Sequence, residues 1–109
     1  MLNKVFLLVL FMLVPLEANN VEVVKTKFTI VHINAKWNKK NDVNIPSIPG
    51  CSIKYAYFED QPESLKSTIQ YVPTVVLYKG NMAVHQWSAD LSFRLELKKD
   101  DIEEVINRL

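Results

Sequence analysis

The chain has 109 residues and a mass of 12.6 kDa, the size of one small domain. Hydrophobic residues are 49% of it and charged residues 23%, a balance that supports a packed core and excludes a disordered chain. A net charge of +1 argues against nucleic acid, while one Cys and two His leave no internal disulfide, no Cys cluster and no zinc site.

Lys4 gives the chain a short positive start, and residues 5–16 (VFLLVLFMLVPL) follow with one Pro and no polar side chain. A spanning helix needs about 20 apolar residues, so this run is short for crossing a bilayer. Its length suits the apolar part of a secretory signal, with Ala18 before the cut. The other reading is an apolar segment held by the fold or by a partner. Residues 1–18 are therefore set apart, and residues 19–109 are expected to form the domain. Cleavage implies an extracytoplasmic location, periplasmic or secreted. Retention implies a component of a larger particle such as a virion, of bacterial or phage origin.

Residues 21–37 are rich in β-branched and aromatic side chains, and residues 28–33 are nearly continuously apolar, as in a strand covered on both faces. Pro46 and Pro49 limit residues 38–44 to two helical turns at most. Asn38 there reads as a helix N-cap with Asn41 three residues on; alternatively Asn38, Lys39 and Lys40 hold an anion or a partner's carboxylate. Residues 52–58 (SIKYAYF) predict a second strand, parallel to the first because a crossover separates them.

Residues 60–71 predict a helix with Asp60 as N-cap and Leu65 and Ile69 on one face. A third strand over residues 75–78, a turn at Lys79-Gly80-Asn81 and a fourth strand over residues 82–87 predict an antiparallel hairpin. Alternation of Phe93, Leu95 and Leu97 predicts a fifth short extended stretch. Asp100 and Asp101 open a closing helix, with Ile102, Val105, Ile106 and Leu109 at helical spacing and Arg108 at its end. The expected fold class is α/β, in the order β-α-β-α-β-β-α around a mixed sheet.

Three phrases carry a resemblance to the thioredoxin family. IVHINAKWNKKN resembles the central strand leading through an aromatic-rich turn into the two active cysteines. KYAYFEDQPE stands in the place of the strand that ends in an acidic residue, and IQYVPTVVLYKGN is similar to the segment leading through a cis-Pro into the hairpin. The resemblance spans residues 27–109 and implies a compact three-layer sandwich. It also implies that Asn38 and Asn41 occupy the positions of the two cysteines, and that His32 occupies that of a buried acid. An amide neither attacks a disulfide nor resolves one.

The expected function is therefore non-catalytic: a thioredoxin-like module that binds a protein partner or serves as an assembly subunit. Trp37, Asn38, Lys39, Val72 and Pro73 would form the contact surface, with no metal and no cofactor. The alternative is a thiol-disulfide oxidoreductase or other enzyme using Cys51. Strand direction opposes it, because Cys51 precedes the second strand and so falls near the pole opposite the family's site. A small buried residue is the commoner fate of a lone Cys. His32 reads as a core histidine with a hydrogen-bond partner, Trp87 as core, and Tyr55 and Tyr57 as packing residues on one strand face.

Overall fold

The computed structural model describes residues 27–109. The apolar run at residues 5–16 and the start of the first predicted strand lie outside the described residues. Among the described residues, no helix is long and apolar enough to cross a membrane.

Four strands, β1 (Phe28–Asn34), β2 (Cys51–Tyr57), β3 (Thr74–Lys79) and β4 (Met82–Ser88), form one mixed sheet in the order β2-β1-β3-β4. β1 runs parallel to β2, with Phe28 opposite Cys51 and Asn34 opposite Tyr57. It runs antiparallel to β3, with Ile30 opposite Leu77. β3 and β4 form the predicted hairpin, with an irregularity in register at Leu77/Tyr78. Gly80 has φ +61 while Asn81 stays out of the left-handed region, the pattern of a type II′ turn. The Val72-Pro73 peptide bond is cis.

Strand alternation sends two apolar sets to opposite faces. Phe28, Ile30, Val75 and Leu77 pack with Val43, Ile45 and Ile48 of the β1–β2 connection and with Ile102 and Val105. The last two belong to α2 (Lys99–Asn107), the predicted closing helix, while Leu109 beyond it is exposed. The Asp101 carboxylate accepts the Lys98 N–H at 2.8 Å and so closes the start of α2. On the opposite face Ile33, Ala35, Ile69 and Val72 form a second cluster, with Leu65 and Phe58 packed on it.

Three predicted elements differ from what is observed. The helix expected over residues 60–71 is a 3-10 turn (Phe58–Asp60) followed by a single α-helical turn, α1 (Glu63–Lys66), whose N-cap is Pro62 rather than Asp60. Ser67 and Thr68 turn their hydroxyls onto the carbonyls of Ser64 and Leu65, at 3.0 and 2.8 Å, and so compete with the helical ladder. The leading face survives: Ile69 is buried and Leu65 half-buried.

No fifth strand forms over residues 93–97. Asp90 Oδ1 accepts both the N–H and the hydroxyl of Ser92, at 2.9 and 2.6 Å, and Phe93 N–H returns to the Asp90 carbonyl at 3.0 Å. That local turn leaves Phe93 at φ +58. The first crossover carries no α-helix; it has a 3-10 segment (Lys36–Asn41) and then an irregular strap.

Candidate functional site

β1 ends where β3 begins, and this end of the sheet gathers the residues singled out in the sequence. Ala35, not Asn38, is the cap of the 3-10 segment. Glu59 supplies the missing acceptor: both its carboxylate oxygens lie 3.0 Å from the Lys36 backbone N–H. Lys36 also pairs with Asp60 at 3.6 Å and lies 5.3 Å from the centre of the Tyr57 ring.

Asn38 sits inside the 3-10 segment with a non-helical backbone (φ −107, ψ 18) and is only 2% exposed. Its amide nitrogen donates to Asn34 Oδ1 and to the Phe93 carbonyl, both at 3.0 Å, with the Val72 carbonyl at 3.4 Å. Asn41 donates to Asn38 Oδ1 at 2.7 Å, so the two residues at the expected cysteine positions do bond to each other. Asn34 Oδ1 also accepts the Ala35 N–H at 2.9 Å. Its amide nitrogen donates to the Asn38 carbonyl at 2.9 Å and to Asp42 Oδ1 at 2.7 Å. A buried amide needs several such partners to offset its desolvation, and this chain of four side chains provides them.

Of the five expected contact residues, Trp37 and Lys39 are exposed, whereas the side chains of Asn38, Val72 and Pro73 are buried. Of the five, Trp37 and Val72 line a hollow at this end of the sheet. Trp37 is 65% exposed and meets Phe93 edge to face, with ring centres 5.0 Å apart; Tyr71 stands 6.2 Å from Phe93 on the same ring. The hollow, of about 130 Å³, is lined by Ala35, Trp37, Phe58, Ile69, Val72 and Phe93. Leu91, 76% exposed, is in the same turn as Phe93.

His32 is buried, as expected of a core histidine, and its partner is the Val43 N–H, 2.9 Å from Nε2. An accepting Nε2 carries no proton, so the neutral ring holds its proton on Nδ1. Burial pushes the His32 pKa below its ordinary value, against the opposing pull of the Asp42 carboxylate. Tyr55 packs on the imidazole with ring centres 4.7 Å apart. Trp87 is half-buried against the core, and its ring lies tilted against that of His85 with centres 4.5 Å apart.

Cys51 begins β2, about 20 Å of strand away from Tyr57 at the Asn38 end. It is half-buried rather than buried, and burial together with Glu103 pushes its thiol pKa up. Among the described residues no group of three or more His, Cys, Asp or Glu side chains is placed to hold a metal ion.

Asn34, Asp42 and Phe93 belong to this site and were not marked in the sequence. Asn34 looks like the polar end of an apolar strand, and alternation with Leu95 and Leu97 drew Phe93 into a strand pattern. The chain matches no protein-family model and no curated protein.

Proposed function

We propose that this chain is a redox-inactive, thioredoxin-like module that recruits a protein partner at the end of the sheet marked by Trp37, Lys39 and the Val72-Pro73 bond. The observation that supports this reading is the Asn38–Asn41 pair: Asn41 is bonded to Asn38, and Asn38 to the Phe93 carbonyl, and on this reading the two amides stand where the family carries its two cysteines. Such a pair has no sulfur to attack or resolve a disulfide. What this end offers to solvent is an aromatic and aliphatic surface of Trp37, Phe93 and Leu91 beside exposed Lys39. The mixed sheet, the parallel β1–β2 pair, the hairpin and the cis Val72-Pro73 bond support the thioredoxin-like assignment. A secreted or periplasmic module and a subunit of a larger particle are the two settings this reading allows.

A photo-crosslinking side chain at position 39 should capture one protein in the source cells, and the same group at Lys79, at the other end of β3, should not. Trp37→Ala should abolish that capture. Equal capture from both positions, or turnover of insulin disulfides above the thiol background, overturns the proposal.

A further inference from the structure

Residues 43–49 cross one sheet face without a helix or strand of their own, yet Val43, Ile45 and Ile48 are buried there against Phe28 and Ile30. The strap is pinned at both ends by the backbone. Asp42 N–H donates to the Lys39 carbonyl at 3.0 Å, and Cys51 N–H to the Ile48 carbonyl at 3.1 Å. Between those points it is held by two side chains of the sheet. Val43 N–H donates to His32 Nε2 at 2.9 Å; the Tyr55 hydroxyl donates to the Val43 carbonyl at 3.2 Å and accepts the Ile45 N–H at 3.1 Å. Pro46 and Pro49 have no N–H to add.

We propose that residues 43–48 are an acid-released cover, latched to the sheet by His32 and Tyr55, whose opening uncovers the apolar face around Phe28 and Ile30. Protonated imidazole has donors on both nitrogens and no acceptor, so a proton on Nε2 faces the Val43 N–H donor to donor. The latch breaks, and the strap has no ladder of its own to hold it down.

The groups around the ring decide whether the proton arrives. From the strap side, Asp42 favours the imidazolium, but its carboxylate already accepts from the Asn34 amide. β2 contributes the Tyr55 phenol. β3 places Val75 opposite His32, and α2 brings Ile102 and Val105 to the same core, none of them charged. Glu103 of α2 acts on Cys51, at the other end of β2. Burial outweighs both Asp42 and the ring's bond to its own backbone, which also favours the protonated form, so the closed strap favours neutral His32. A group that binds its proton more weakly in the closed state weakens that state as pH falls below the ordinary imidazole value of 6.5.

Amide hydrogen exchange on the full chain, followed residue by residue between about pH 7.5 and 5, tests the latch. After correction for intrinsic exchange, protection of the Val43 and Ile45 amides should fall as pH drops below 6.5, at a rate no steeper than the about tenfold per pH unit that one proton permits, while Ile30 and Leu77 keep theirs. His32→Gln retains an acceptor that does not titrate, and its strap protection should be independent of pH. If that variant fails to fold, the ring nitrogen shifts of His32 in the wild type should titrate below 6.5, within the pH range over which strap protection falls. Flat protection in the wild type, a fall shared equally with Leu77, or unchanged pH dependence in a folded His32→Gln each overturn the proposal.

Discussion

The side-chain amide of Asn38 holds the carbonyl of Phe93 at 3.0 Å, and Phe93 is the one non-glycine residue at positive φ among the described residues. A bulky side chain rarely accepts that backbone, so the turn is strained and its retention requires support from outside. Asn38 gives that support from 55 positions away in sequence. It thereby sets the Phe93 ring against Trp37.

Replacing Asn38 by Ala takes one partner each from the Phe93 carbonyl, the Asn41 amide and Asn34 Oδ1, groups that are buried or half-buried. We expect a loss of about 1–3 kcal/mol in urea unfolding. Asn38→Asp should cost at least as much near neutral pH, because a carboxylate offers no donor to the carbonyl. A loss within error for both variants would show that the amide chain contributes no net stability.

Trp37 behaves oppositely. With 65% of its surface exposed, Trp37→Ala gives up little beyond the edge-to-face contact with Phe93, about 0.5–1.5 kcal/mol. Unfolding midpoints should therefore move slightly while partner capture disappears. A large destabilisation would make Trp37 a structural residue.

Cys51 should react slowly. Burial and Glu103 disfavour its thiolate, so alkylation near pH 8 should run below the rate of a cysteine in an unstructured peptide. Denaturant should restore the peptide rate. A rate above it would mark Cys51 as an activated nucleophile and revive the thiol-enzyme alternative.

Tyr78 carries the alkaline signature. Burial raises its phenol pKa from 10.0 to about 12. In the unfolded chain the phenol ionises at lower pH, so folding stability is intact below pH 10 and declines as pH rises toward 12. Tyr78→Phe should flatten that decline, read as unfolding midpoints between pH 9 and 11 (about the range in which ordinary tyrosines titrate). An unchanged slope would place the alkaline sensitivity elsewhere.

The sheet was legible because its strands announce themselves. Residues 28–33 are nearly continuously apolar, and the Lys79-Gly80-Asn81 turn joins two short β-rich runs closely enough to pair as a hairpin. The closing helix was legible too, from its Asp100-Asp101 start and helical spacing; the helix over residues 60–71 and the fifth strand were not, since hydroxyl–carbonyl bonds from Ser67 and Thr68 and the turn at Asp90 are local competitions that periodicity does not register. The site was half legible. Trp37, Asn38 and Pro73 stand at recognisable positions, but burial of Asn38 depends on Phe93, a partner the chain brings close only when folded. His32 drew attention as a buried histidine, yet its role as an acceptor for the strap requires the register that sets Tyr55 opposite it.

The irregular crossover also orders the assembly of the chain. The β3–β4 hairpin closes over two residues and forms from local contacts, whereas the β1–β2 pair must close residues 35–50 with only a short 3-10 segment to shorten them. Loop closure is lost entropy until the long-range pairs form, so the hairpin and its alignment with β1 make the natural nucleus. The strap follows once His32 and Tyr55 lie side by side. Truncating Ile45 should then speed unfolding and leave the folding rate almost untouched, while truncating Leu77 should slow folding itself.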